Sequence, residues 1–226
     1  MALIVIIVIS YLLGSIPFPY LIGKLFTGKD IRKSGSGNMG TLNTFRLLKE
    51  EKGTKAAIPG FLLVLICDMG KAALALFLAQ KLQFLGYDLT TGMILSAAFA
   101  VIGHNWPIWL DFKGGRGAAC LMGMLLYLDP LSLLVWGVPI LIASMITEPI
   151  LEKRTTFKIS QLFSALGTQM VGRAIGIVIG LILLYFYNVQ IFYIALIPVI
   201  LLLIKNIDRV KGYLKKLKEK NKSIKN

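Results

Sequence analysis

Apolar runs long enough to cross a bilayer recur at residues 2–23, 56–80, 90–105, 162–187 and 191–204, and they constrain the fold before anything else. A hydrocarbon core offers no water to an open backbone, so such runs read as helices packed into one all-α polytopic membrane domain. Apolar residues make up 56% of the chain and mean hydropathy is +0.75, which excludes an ordinary soluble domain. The stretch 118–147 is broken by Asp129-Pro130. Proline removes a backbone donor, so two shorter helices, 118–128 and 131–147, are expected there. The first run lacks a basic leader and a small-residue cleavage pattern, and is read as a retained span. No internal repeat points to the inverted halves of a transporter.

Charge sets the orientation. The net charge is +14, and 22 of the 25 basic residues fall in segments 24–55, 106–117, 148–161 and 205–226. With seven transmembrane helices these four segments share one face, so the reading is N-terminus outside and C-terminus cytoplasmic. Residues 1–212 then form a single transmembrane domain, which would carry any catalytic site, and 213–226 a basic cytoplasmic tail. Basic residues confined to interhelical segments fit anionic lipid headgroups, so no nucleic acid is expected as a partner. Cys67 and Cys120 lie in apolar surroundings without metal-ligand spacing, and no disulfide is expected.

Two polar cassettes interrupt this apolar chain. The first is Ile31–Arg46, with Gly35, Ser36, Gly37, Asn38, Gly40 and Asn43 ahead of Arg46. Read as a loop, it can wrap a phosphate with backbone N–H groups while Arg46 supplies a bidentate fork; the alternative is a flexible loop of turn-forming residues. It lacks the Gly-Lys-Ser/Thr ending of a Walker loop. The second, Gly103–Gly117, sets Lys113, Gly114, Gly115, Arg116 and Gly117 beside Trp106 and Trp109. Tryptophans mark a membrane interface, so the cations sit at headgroup depth, either on phosphate or as snorkelling charges of an aromatic-belt turn. His104 is the sole histidine, a hydrogen-bonded structural residue or a general base. Asp68 and Lys71 lie three apart on one helical face, as an ion pair or as walls of a polar site. Arg173 lies inside an apolar run and requires a partner.

Several chemistries are excluded. There is no Gly-x-Ser-x-Gly elbow, and the position five beyond His104 is Trp109 and not an aspartate. No histidine or carboxylate cluster calls for a metal, so any chemistry rests on positioning and charge stabilisation.

Taken in order, Tyr11-Leu12-Leu13-Gly14-Ser15-Ile16-Pro17-Phe18, Gly35–Arg46, Asp68 with Lys71, Gly103-His104, Phe112–Gly117 and Asn206-Ile207-Asp208-Arg209 carry a resemblance. Phe157-Lys158-Ile159-Ser160 adds a weak serine motif. The chain resembles the bacterial integral-membrane, acyl-phosphate-dependent glycerol-3-phosphate acyltransferases. The resemblance implies a seven-helix fold in the bacterial cell membrane with its active site on the cytoplasmic face. It implies acyl transfer from acyl phosphate to the 1-hydroxyl of glycerol 3-phosphate, giving lysophosphatidic acid and phosphate for phospholipid synthesis, with no cofactor or metal. The oligomeric state is left open, a monomer being one reading.

By that resemblance Ser36, Arg46, Arg116 and Asn206 are the catalytic residues, and Gly35, Gly37, Asn38, Gly40, Asn43, Asp68, Lys71, His104, Lys113, Gly114, Gly115 and Gly117 bind substrate. The family's first loop reads Gly-Ala-Thr-Asn where this chain has Gly40-Thr41-Leu42-Asn43. Arg116 replaces a lysine, and Leu203 stands where the family has a histidine. Those departures leave open another acceptor, or a non-catalytic lipid-binding or transport protein.

Overall fold

A computed structural model of the chain describes residues 1–152 and 171–223, whose regular secondary structure is entirely helical. The first apolar run is one span, as expected, but is built of two helices, α1 (Ala2–Ser15) and α2 (Phe18–Thr27). Pro17 has no N–H to continue the ladder, so the helix breaks at Ile16. The freed Ile16 carbonyl accepts a hydrogen bond from Lys71 Nζ at 2.8 Å, the internal repair that a break within an apolar span requires.

The polar segment that follows also differs from its expected loop. It is irregular, apart from one short turn at Ile31–Lys33, only as far as Gly40; α3 (Thr41–Lys52) then carries Asn43 and Arg46. Leu47 and Leu48 on α3 are fully buried, so tertiary packing makes a helix that the polar composition conceals. Then come α4 (Thr54–Lys81) and α5 (Leu89–Asn105), the latter capped by the Asp88 carboxylate accepting from the Thr91 N–H. Helices α6 (Ala118–Leu128) and α7 (Pro130–Glu152) meet at Asp129-Pro130 as expected. After residue 170 come α8 (Val171–Tyr187), α9 (Val189–Ile204) and the lysine-rich α10 (Ile207–Ser223).

Small residues let these helices approach closely, as apolar helices without a hydrophobic driving force between them require. A Cβ on Gly14 of α1 would lie 2.1 Å from the Ala100 carbonyl oxygen of α5, and one on Gly123 of α6 would lie 2.1 Å from that of Met69 on α4. Gly172, Gly176 and Gly180 repeat every fourth residue of α8 and sit against the α7 backbone at Ala143, Ile140 and Trp136. The shared core contains Ala72, Leu76, Ala97, Val101 and Met124, with free, buried Cys120 among them.

Large apolar side chains point outward all round, among them Ile66, Leu134 and Ile146. Among the described residues, four stretches are long and apolar enough to span a bilayer: Ala2–Thr27, Thr54–Leu85, Leu89–Leu110 and Pro130–Thr147. A fifth arises if α9 and Ile207–Lys215, bent by 40°, count together; α6 and α8 are shorter apolar helices. The start of the run expected at 162–187, and the Phe157–Ser160 motif, lie outside the described residues.

Candidate functional site

Asn43 organises the first cassette from the first turn of α3. Its Oδ1 accepts from the Ser36 N–H at 3.0 Å, while its Nδ2 donates to the Ser34 and Ile31 carbonyls at 3.0 and 3.2 Å. With its amide committed to the loop, buried Asn43 acts as a clamp. Gly35 and Gly37 supply the left-handed backbone, at φ 54 and 66, that lets residues 34–40 curl over it.

The second cassette folds back over the end of α5. The Gly115 N–H donates to the His104 carbonyl at 2.9 Å and the Gly114 N–H to that of Asn105 at 3.2 Å. Gly115 is where the two cassettes touch: a Cβ there would lie 2.1 Å from His104 Nε2 and 2.5 Å from the Met39 carbonyl oxygen. Beside this contact Lys205 Nζ sits 4.4 Å from the Trp106 ring centre, which anchors the end of α9 to the interface turn.

A polar cavity of about 270 Å³ opens between the cassettes and the α9–α10 bend. It gathers Ser36, Asn38, Gly40, Asn43 and Arg46 with Asp68, His104, Arg116, Gly117 and Asn206, residues up to 170 positions apart in sequence. Lys71, Gly114 and Gly115 line a separate small recess on the other side of His104. Gly35 and Gly37 shape the loop without lining either space, and Lys113 is exposed and away from both.

Two charged wall residues were not among the expected site residues. Arg173 of α8, singled out only as needing a partner, faces this cavity, and Arg209 of α10 joins it. Arg209 was legible, because a residue three after Asn206 on a helix shares its face.

The electrostatics follow from crowding cations. Arg116 Nη1 donates to Asn206 Oδ1 at 3.2 Å, and Asn206 Nδ2 donates to the Leu202 carbonyl at 2.7 Å. Burial, with Arg209 and Arg173 nearby, pushes Arg116 down to about 10, against an opposing pull from Asp208. It keeps its charge at neutral pH, and an anion among these guanidinium groups relieves their mutual repulsion. Deeper in, the fully buried Asp68 carboxylate lies 2.8 Å from Lys71 Nζ and 3.6 Å from His104 Nδ1. The ion pair expected from the i, i+3 spacing is thus formed, with Asp68 also on the cavity wall.

Apolar space adjoins on two sides. One groove of about 330 Å³ shares Ala118, Met122, Arg173 and Leu202 with the polar cavity. Another of about 350 Å³ shares Arg173 and Asn206 and is lined by Leu203. The combination, a cationic polar chamber opening onto apolar grooves, suits a phosphorylated molecule with a long apolar tail.

Comparison with known proteins agrees with this geometry. The family profile described as glycerol-3-phosphate acyltransferase matches residues 4–212. "Glycerol-3-phosphate acyltransferase 1" of Dehalococcoides mccartyi is 46% identical over 133 residues, covering 59% of this chain and 57% of the relative. "Glycerol-3-phosphate acyltransferase 2" of Moorella thermoacetica is 46% identical over 134 residues, covering 58% of this chain and 62% of the relative. These alignments span less than two thirds of either relative's length. The crystal structure of PlsY (YgiH), an integral membrane glycerol 3-phosphate acyltransferase in its glycerol 3-phosphate form, superposes with a TM-score of 0.68 at 22% identity. That superposition covers 96% of this chain and 94% of the other, and it establishes the fold.

Proposed function

Because this chain belongs to the glycerol-3-phosphate acyltransferase family, we propose that it transfers an acyl group from acyl phosphate to the 1-hydroxyl of glycerol 3-phosphate. The observation that carries the reading is the convergence of both glycine cassettes with Arg46, Arg116, Arg173 and Arg209 on one cavity beside an apolar groove. Two phosphorylated substrates need more fixed positive charge than one, and a donor with an acyl tail needs the groove.

The chemistry is a single displacement. The acceptor hydroxyl oxygen bonds to the acyl carbonyl carbon, the bond from that carbon to the phosphate oxygen breaks, and lysophosphatidic acid and inorganic phosphate leave. The hydroxyl proton departs with the released phosphate. Acyl phosphate carries its own good leaving group, so no protein nucleophile is required. Orientation of the alcohol and stabilisation of the oxyanion carry the rate. In this reading Arg46 grips the glycerol phosphate, with Ser36, Asn38 and the loop N–H groups around it. Arg116, held by Asn206, faces the developing charge, and Arg209 adds to the field.

The same reading makes the chain a seven-span protein of the bacterial cell membrane, with N-terminus outside and the site on the cytoplasmic face. The concentration of basic residues in alternate interhelical segments supports that orientation. Residues 1–212 act as the catalytic domain of a monomer and 213–226 as its basic tail.

The test gives purified full-length protein in lipid acyl phosphate and glycerol 3-phosphate and measures phosphate release and lysophosphatidic acid. Release that falls at least a hundredfold in Arg46→Ala is the expected outcome. Release no greater than in that variant rejects the reading. Leu42 on the cavity wall favours one variation, a different phosphorylated or polyol acceptor. Activity confined to glycerol 3-phosphate across an acceptor panel excludes it.

A further inference from the structure

The apolar groove between α6, α7 and α8 contains a glycine that packing does not explain. Gly172, Gly176 and Gly180 are each pressed against α7, where a side chain would meet backbone atoms within 2.7 Å. Gly137 is different: a Cβ built on it meets no heavy atom within 4 Å, and it lines the groove. The groove starts at Arg173, which it shares with the polar cavity. Gly180 packs against Trp136, next to Gly137, and lies seven residues along α8 from Arg173. At the rise of an α-helix that puts Gly137 roughly 10 Å from the cationic end. Leu133 and Leu134 continue the wall beyond it.

The groove is also open along its side. Leu134, Val138 and Leu141, which line it, are 57%, 44% and 43% exposed, on helices whose outer surface is apolar. A molecule anchored in the bilayer by its tail can enter laterally while its headgroup reaches Arg116 and Arg173. The second apolar space has Lys211 at its rim and shares only Arg173 and Asn206 with the cavity, so it is the poorer continuation.

We propose that this groove receives the acyl chain of the donor, and that Gly137 is the specificity-determining position that leaves it open to long chains. The proposal rests on the acyl-phosphate reading for its ligand class, but its test has a readout that does not need turnover. A leucine at 137 projects into the groove and displaces the methylenes that would pass it. At about 0.8 kcal/mol per buried methylene, each one excluded weakens binding about fourfold.

Full-length protein in nanodiscs is assayed with acyl phosphates of eight to eighteen carbons, and separately for binding of non-hydrolysable alkylphosphonates of the same lengths. Gly137→Leu is expected to raise KM and Kd for sixteen- and eighteen-carbon ligands at least tenfold. It should leave eight-carbon ligands and the KM for glycerol 3-phosphate within twofold. An equal effect at every length, or none at any, overturns the assignment. So does a chain-length shift produced by Val210→Trp in the second apolar space and not by Gly137→Leu. If acyl phosphate proves not to be a substrate, the donor reading fails alone. The alkylphosphonate series then decides the groove, with a length-dependent loss in Gly137→Leu supporting it and a length-independent profile refuting it.

Discussion

Replacing Lys71 with methionine tests how the molecule tolerates charge inside an apolar span. Lys71 performs two tasks from one ammonium: it pairs with Asp68 at 2.8 Å and caps the Ile16 carbonyl at 2.8 Å. Both partners of the pair are buried, with side chains 3% and 1% exposed. Methionine keeps the length and apolar stem but removes the ammonium from Asp68, leaving His104 Nδ1 at 3.6 Å as the nearest remaining polar partner. Breaking a buried pair from one side costs about 3–5 kcal/mol. The orphaned carbonyl adds about 1–3 kcal/mol, for a total of roughly 4–8. Asp68→Asn is milder, because Lys71 keeps the Ile16 carbonyl and lies 5.6 Å from the centre of the Phe18 ring. The combined Asp68→Asn/Lys71→Met variant removes both charges of the pair, keeps a polar side chain beside His104 and loses chiefly the carbonyl's donor, about 1–3 kcal/mol.

The double variant should therefore be more stable than Lys71→Met alone, with a coupling energy of about 3 kcal/mol. At roughly 2–4 °C per kcal/mol for a chain of this size, Lys71→Met lowers Tm by at least about 8 °C, and the second substitution restores at least half of that. Thermal unfolding of all four proteins in one detergent measures the cycle. Additive single effects, with the double variant the least stable of the four, would refute the mutual compensation of the pair.

Gly115→Ala should reduce kcat/KM by at least tenfold while Gly70→Ala, where a Cβ meets nothing within 4 Å, leaves it within twofold; steady-state kinetics distinguish them. Arg116 has its charged form disfavoured by burial, so the charge is complete below about 10 and is lost as pH rises through that value. The ratio of KM between Arg116→Gln and the unmutated protein should be flat from pH 7 to about 9 and shrink above about 10. Inorganic phosphate at a hundred times its Kd should stabilise the protein by about 2.7 kcal/mol, read as a rise in Tm that Arg116→Ala/Arg209→Ala abolishes. Thr41 lines the cavity next to Leu42, so Thr41→Val should cost about tenfold in kcat/KM, the loss of one hydrogen bond to a charged group, with Leu42→Thr changing it less.

The four long apolar stretches were legible because length and apolarity are properties of a run, and the Asp129-Pro130 break because proline acts locally. The break at Ile16 was not, since residues around Pro17 are as apolar as a continuous span, and the proline reads as tolerable until the Lys71 donor is seen. Helix α3 was hidden by its polarity; Leu47 and Leu48 matter only once α4 lies against them. The cassettes were legible as glycine-rich loops with cations, but the sequence gives Lys113 and Arg116 equal standing. The chain turns through left-handed backbone at Asp111 and Phe112, with φ 51 and 58, and Lys113 is left exposed while Arg116 faces the cavity.

Arg173 shows what a linear reading misses. It belongs to no cassette, yet with Arg116 and Arg209 it lines one cavity and sets like charges close together there. That cluster also bears on the family's missing residues. Leu203, at the place of a family histidine, lines the neighbouring apolar space and not the polar chamber. The chamber's positive potential is carried by groups of high pKa that stay charged across the physiological range. A histidine at 203 would line that apolar space, so its replacement leaves the arginine charges of the chamber in place. Arg116 in place of lysine acts the same way. Its planar fork engages Asn206 at 3.2 Å and fixes the α9–α10 bend to the second cassette, a link that a single ammonium would hold with less directional control.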